Sequence, residues 1–167
     1  RNTLLSWKVL EEKNGRIFPT NAYILLSGKG NWEVSRKIQC GVFKGETRSI
    51  FVDKKEFEGS IIMQLEKAYQ YVLEKINLGS DIVGIYRVDK YEIPPKSIRE
   101  VIANAVIHRS YLEPNDIQVA LYNNRLEITS PGMLLSGVNV KRMKEGYSKL
   151  RNRAIASVFA YVNIIEK

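Results

Sequence analysis

Soft metal ligands are nearly missing from this chain, which has one cysteine, Cys40, and one histidine, His108. One cysteine excludes an internal disulfide, and one histidine leaves no zinc constellation. Both fit a reducing compartment, expected here to be the cytoplasm. No apolar run approaches the length of a membrane span, no signal-peptide pattern opens the chain, and no membrane partner is expected. There is no Walker A lysine motif, no internal repeat and no low-complexity segment. Acidic residues are the scarcer charge, 18 against 26 Lys and Arg, giving a net +8. That balance favours polyanions such as nucleic acid or nucleotide phosphates and says nothing about fold. What is present, 167 residues at 44% hydrophobic, can bury one good core, or one core with a small appendage. The opening on Arg1 and the plain ending Ile164-Ile165-Glu166-Lys167 read as a piece of a longer protein.

The local patterns predict an α/β arrangement. Leu4 to Lys13 reads as a short helix closed by Asn14-Gly15, and Thr20 as the N-cap of a helix over Asn21 to Ser27. Lys37 to Phe43 and Ser49 to Val52 read as strands around a Lys44-Gly45-Glu46 turn. Phe57 to Ile76 carries the clearest helical spacing, ended by Asn77-Leu78-Gly79. Ile82 to Val88 reads as a strand, and Pro94-Pro95 as the entry to the next helix. A hairpin follows, Ile117-Val119-Leu121 against Leu126-Ile128, across Asn123-Asn124, which tolerates left-handed φ. Pro131-Gly132 stops its second strand, and Asn152 to Tyr161 closes the chain as a helix capped by Asn152. Asn77 to Pro95 is the candidate seam between a lobe of residues 1–78 and a half of residues 79–167, together expected to form one compact unit.

The chemistry concentrates in Arg99-Glu100-Val101-Ile102-Ala103-Asn104-Ala105-Val106-Ile107-His108-Arg109. Glu100, Asn104 and His108 recur every four residues, so a helix sets them on one narrow stripe. Ile98, Val101, Ile102, Ala105 and Val106 form the apolar face. A carboxylate and a carboxamide about 6 Å apart along a helix axis can share a water and a divalent cation. The bland alternative is a solvated helix face.

This segment, REVIANAVIHRSY, resembles the Glu-xxx-Asn helix of the GHKL-type ATPases, among them gyrase B, histidine kinases and MutL. It is more similar to the REAxxNAxxHRDY signature of a bacterial group known as RecG-related ATP-dependent DNA helicases, or as transcriptional regulators with a Schlafen-type (AlbA-like) domain. NRLEITSPGML resembles that group's DRLEIxNPGxL, and SKLRNRAIASVF its SxxRNPxIAxxL. Upstream, FPTNAYILLSGK and FEGSIIMQLEKAYQYV continue the likeness over nearly the whole chain. The resemblance implies a Bergerat-like sheet with helices on one face, beside the N-terminal helix-and-strand lobe.

It also implies a site for ATP and Mg²⁺. Glu100 would be the general base and Asn104 the Mg²⁺ ligand. His108, Arg109, Ser130, Gly132, Arg151 and Asn152 would line the nucleotide. His108 and Arg109 have an alternative as C-terminal cations of the helix. Three acidic positions of the relatives are neutral here. Ser130-Pro131-Gly132 stands where an adenine-reading Asp is expected, Asn123-Asn124-Arg125 where Asp-Asp-Arg is favoured, and Ser110 where Asp is. A neutral acceptor weakens that pairing by about 1 kcal/mol. Gly132, Gly137 and Gly146 are scattered, with no evident glycine-rich lid, and Met133-Leu134-Leu135 reads as ordinary packing.

A basic run of Lys141, Arg142, Lys144, Lys149, Arg151 and Arg153, with Tyr147 among it, suits phosphate contacts to nucleotide or DNA backbone, or else a solvated connector. Trp7, Trp32 and the tyrosines are dispersed in sequence and read as packing. Two functions follow. One is a nucleotide-binding module with a degenerate ATP site, belonging to a DNA-binding regulator that is expected to self-associate and to meet DNA through its full length. The other is a slow Mg²⁺-dependent ATPase driving a conformational switch. Neither is a helicase motor.

Overall fold

The computed structural model describes residues 1–30, 36–76, 78–83 and 86–165, with the backbone alone over 78–83 and 86–90. It begins with a short helix, α1 (Asn2–Ser6), and a hairpin of β1 (Leu10–Lys13) and β2 (Arg16–Pro19). The single helix expected over Leu4 to Lys13 is therefore corrected. Lys8, at φ 57°, turns the chain out of α1, and Asn14-Gly15, at φ 51° and 72°, forms the two-residue turn that strand twist favours. Asn-Gly does adopt the left-handed conformation, but it joins strands instead of ending a helix.

Helix α2 (Asn21–Ser27) starts at Thr20 as expected, yet the threonine hydroxyl does not cap it. Thr20 Oγ1 donates instead to the carbonyls of Val9 and Lys8, at 2.8 and 3.0 Å, tying the hairpin to α2. Strands β3 (Ile38–Lys44) and β4 (Ile50–Phe57) follow, the second longer than its apolar run because Asp53 to Phe57 continue the pairing. Helix α3 (Ile61–Lys75) begins later than Phe57, which stays in β4, and its cap is Ser60, whose hydroxyl accepts from the Met63 amide.

β5 (Leu78–Val83) and β6 (Tyr86–Tyr91) pair antiparallel where one strand, Ile82 to Val88, was expected. Residues 84–85 of that expectation, Asn77 of the predicted helix stop and Trp32 lie outside the described residues. Helix α4 (Pro95–His108) enters through Pro94-Pro95. Strands β7 (Ile117–Leu121) and β8 (Leu126–Thr129) form the expected hairpin. Its loop is closed by the Tyr122 amide on the Arg125 carbonyl, with neither asparagine using the left-handed φ it would tolerate. Two helices end the chain, α5 (Val140–Lys144), capped by the Asn139 side chain and not foreseen, and α6 (Arg153–Tyr161).

The result is an α+β fold on a four-stranded sheet ordered β4-β3-β7-β8, in which β3 and β7 run parallel and the other pairs antiparallel. Two of its strands precede residue 78 and two follow it. Ile38, Cys40, Ile117 and Val119 turn one sheet face into the core, where they meet Leu65 and Val72 of α3, Ile102 and Val106 of α4, and Phe159 of α6. Burial pushes the Cys40 thiol up to about 12, so it is a packing residue. No helix among the described residues is long and apolar enough to cross a membrane.

Helix α4 is buried over more than a single stripe. Ile98, Ile102, Ala103, Ala105, Val106 and Ile107 are all buried, while Val101, expected on the apolar face, is 45% exposed. With packing on both flanks, one arc of the helix remains free. Val101 falls on it together with Glu100 and Asn104.

Candidate nucleotide site

The C-terminal end of α4 is held by side chains from two distant segments. The Ser130 hydroxyl donates to the Ala105 carbonyl at 2.8 Å. Asn152 Nδ2 donates to the carbonyls of Ile107 and Arg109 at 2.7 and 2.8 Å. Arg151 Nε donates to the His108 carbonyl at 3.0 Å, and its Nη2 to that of Met133. The carbonyls of Ile107, His108 and Arg109 are among those a helix end leaves without intrahelical partners, and with the Tyr111 hydroxyl donating to Val106 O at 3.1 Å all five carbonyls from Ala105 to Arg109 receive a side-chain donor. Gly132 completes the junction. A Cβ there would lie 2.9 Å from Ser110 Cβ at a φ of 112°, and the Ser110 amide donates to Pro131 O at 2.7 Å. Only glycine fits this approach.

Two cavities flank the exposed arc of α4. The first, about 600 Å³, is bounded by Asn104 and His108, by Ser130 and Gly132, and by the segment from Met133 to Arg151. The second, about 590 Å³, is bounded by Lys96, Arg99, Glu100 and Asn104 and by Asn163, Ile164 and Ile165 after α6. Asn104 belongs to both. Glu100 and Asn104 are exposed, and His108 is half-buried with its imidazole pKa lowered by desolvation and by the nearby Arg151 charge.

Several expected ligand contacts are thereby corrected. Arg109 is 1% exposed, donates to the Asn115 carbonyl and lies over the Tyr111 ring at 5.1 Å, so it faces the protein interior and lines neither cavity. Asn152 is spent on carbonyls at the end of α4 and lines neither of these cavities; nor does its side chain cap α6. Arg151 borders the first cavity, but its guanidinium already bridges His108 and Met133. Met133-Leu134-Leu135 is not ordinary packing, since Met133 is 88% exposed and all three line the first cavity. The scattered glycines converge in that same wall, with Gly132 and Gly146 both lining it at positive φ.

Within the basic run, Arg142 donates to Gly137 O and sits 3.8 Å from the Tyr147 ring centre, and Lys149 donates to Ser136 O. Lys141, Lys144 and Arg153 project into solvent. Of the aromatic residues, Trp7 packs on Tyr161 at 5.1 Å, while Tyr122 stacks with Phe43 at 5.2 Å on the sheet face away from the helices. Sequence spacing could not foresee that meeting across strands.

The first cavity can take a flat, largely apolar group with a polar edge. Ser130 uses its proton on Ala105, leaving the hydroxyl oxygen as an acceptor on the cavity wall. Among the described residues no three His, Cys, Asp or Glu side chains gather to hold a metal. A Mg²⁺ ion would meet only the Asn104 amide oxygen and the neighbouring Glu100 carboxylate, with the rest of its shell from phosphate and water. That sparse protein contribution is how Mg²⁺ is usually held.

No curated protein sequence matches this chain. Among solved structures, the DIP2311 protein from Corynebacterium diphtheriae shares the fold, with a TM-score of 0.79 at 19% identity. The likeness covers 98% of this chain and 33% of that one, so the chain spans about a third of that protein's length. Residues 115–167 match the family described as "Putative ATP-dependent DNA helicase recG C-terminal", a segment that takes in β7, β8, α5 and α6 and begins just after α4. Over that segment the chain is similar to a divergent HATPase-type domain of the RecG-related kind.

Proposed function

We propose that this domain binds a purine nucleotide with Mg²⁺ along the free arc of α4, as the nucleotide-sensing module of a DNA-binding regulator. The observation that carries the reading is the position of Asn104, the one residue that both cavities share. The base would enter the first cavity, where the neutral Ser130 oxygen accepts from its amino edge. The phosphates would run past the Asn104 amide, which would share Mg²⁺ with them. When bound, Mg²⁺ would neutralise phosphate charge and fix the phosphate geometry. Met133, Leu134 and Tyr147 would close over the base and exclude water.

Glu100 would serve slow hydrolysis. Its carboxylate stands one turn from Asn104 in the cavity that the terminal phosphate would reach, where it would accept the proton of a water attacking the γ-phosphorus as the nucleoside diphosphate leaves. A serine reads the base less tightly than a carboxylate would, so the site is expected to bind its nucleotide weakly. Duplex contacts, where the full-length protein makes them, would be backbone contacts from Lys141, Lys144 and Arg153.

Thermal melting with Mg²⁺–ATP tests the site. At a hundred times Kd, ATP should stabilise the protein by about 2.7 kcal/mol, a rise of several degrees. Asn104→Ala should abolish the rise while leaving the ligand-free melt within about 0.5 kcal/mol of the parent. Glu100→Gln should keep the rise and remove turnover. An unchanged melt with millimolar Mg²⁺–ATP would overturn the reading.

A further inference from the structure

The sheet face turned away from the helices carries a pattern that the nucleotide reading does not use. On the parallel neighbours β3 and β7, the residues between the core positions point outward as three successive cross-strand pairs. Gln39 stands beside Gln118, Gly41 beside Ala120, and Phe43 beside Tyr122. The smallest pair lies in the middle, which opens a hollow between two amides and two rings. That hollow, about 190 Å³, is rimmed by Phe51 and Lys54 of β4 and by Arg48, and among the described residues no carboxylate lines it. The rings form a row across the sheet. Phe51 packs edge-on against Phe43 at 5.3 Å, Phe43 stacks with Tyr122 at 5.2 Å, and the Arg125 guanidinium lies 3.9 Å from the Tyr122 ring centre. The row ends in solvent, because Phe51 is 52% exposed and takes no part in the core. At the other side of the hollow, Gln39 Nε2 donates to Asp116 Oδ2 at 2.9 Å, and Gln118 Oε1 accepts from Arg48 Nη1 at 2.8 Å. These bonds leave an amide oxygen on Gln39 and an N–H pair on Gln118 side by side.

We infer that this face binds single-stranded nucleic acid, taking one base into the hollow and a neighbouring base onto Phe51. Small-molecule pockets usually exceed ~300 Å³, so a hollow of this size suits one flat group of a longer chain. The adjacent acceptor and donor match a base edge, which a duplex occupies in pairing and a single strand presents. Every base has a face that can stack on an exposed ring. Arg48 and Lys54 give the rim positive charge to meet the flanking phosphates. Their partners, Glu127 at 3.5 Å and Glu56 at 2.7 Å, form solvent-facing ion pairs, a kind that contributes little and that a phosphate can replace. A peptide could also stack on Phe51, but an acid-free rim on a chain of net charge +8 favours a polyanion. The inference is independent of the nucleotide reading, since Phe51 and Lys54 line neither cavity beside α4.

The test is fluorescence anisotropy of short labelled strands of mixed sequence, titrated with the whole chain in the absence of ATP and Mg²⁺. Single-stranded DNA, single-stranded RNA and the DNA duplex are compared. One or both single strands should bind more tightly than the duplex, and the tighter of the two identifies the sugar preferred. Phe51→Ala should weaken single-strand binding at least about fivefold, the low end of one lost base stack, and Phe51→Trp should keep it. Lys54→Ala should lower the slope of log affinity against log salt by about 0.7, the share of one phosphate contact. Matching melting temperatures of parent and variants show that the substitutions left the fold intact. The inference is overturned by a parent that binds no single strand, by a duplex bound as tightly, or by equal affinities of parent and Phe51→Ala. A Phe51→Trp variant as weak as Phe51→Ala overturns it too. Should no strand bind while an acidic, tyrosine-rich peptide does, the face belongs to a protein partner and the inference falls.

Discussion

The two ends of α4 teach opposite lessons from one sequence motif. At its C-terminal end, four carbonyls between Ala105 and Arg109 receive side-chain donors from Ser130, Arg151 and Asn152. Toward its N-terminal end, Glu100 and Asn104 stand exposed beside cavities. Both ends carry polar residues that resemble a nucleotide site. One end uses them to fix the helix against the β8 loop and α6, and the other leaves them free. Rigidity at one end is what lets the other present a carboxylate and an amide in a defined register, because a positioned site needs supporting groups with hydrogen bonds of their own. The pair Arg151-Asn152, read from sequence as ligand contacts, thus acts one step back, on the backbone that carries His108 and Asn104.

Substitutions at the fixed end should damage stability, and those at the free end should damage only binding. The largest effect is expected from Asn152→Ala, which strips donors from two carbonyls at a part-buried junction. A loss of about 2–3 kcal/mol is expected, a fall in Tm of roughly 5–10 °C. Asn152→Asp, equal in size but without the donor, should cost as much. A melt within 1 °C of the parent for both would show that the end of α4 is not held by this side chain. Gly132→Ala comes next, at about 1–3 kcal/mol, from an unfavourable φ and a Cβ driven against Ser110. Because Ser110 crowds that Cβ and Gly132 lines the first cavity, the same substitution should also narrow that cavity. Urea denaturation measures the first effect, and nucleotide titration the second.

Much of this architecture was legible in the residues. The α3 spacing, the proline entry to α4, the β7–β8 hairpin and the strand at β3 all follow from local period and turn chemistry. The stripe Glu100-Asn104-His108 followed from helical spacing alone. The misreadings share a cause. Asn14-Gly15 means left-handed backbone in either a helix stop or a hairpin, and only the β1–β2 partnership decides between them. Arg109 and Asn152 carry the right chemistry for a phosphate, but their partners, Asn115 and the α4 carbonyls, are set by tertiary packing. Val101 is apolar, yet α4 is wrapped so far around that the single remaining open arc includes it. The wall from Met133 to Tyr147 gave no periodic signal, because its residues converge through two glycines at positive φ, Gly137 and Gly146, and one short helix.

His108 gives the smallest and most selective test of the two-ended helix, since it sits where the fixed end meets the first cavity. Desolvation, followed by the Arg151 charge, lowers its imidazole pKa in the folded protein below the ordinary value of 6.5. The folded state therefore resists protonation in a range where the unfolded chain accepts it. The resulting stability is fully present above pH 6.5 and is lost as pH falls from there toward the folded value. His108→Gln should flatten that portion of the stability curve relative to the parent. It is the sole histidine in the chain, so no other imidazole can contribute to the difference. Arg151→Gln should flatten the slope in part, by removing the charge while leaving the burial. If parent and His108→Gln run parallel from pH 7.5 to 5, the imidazole is not held neutral beside Arg151, and the cavity wall there is more open to water than the packing at this end of α4 requires.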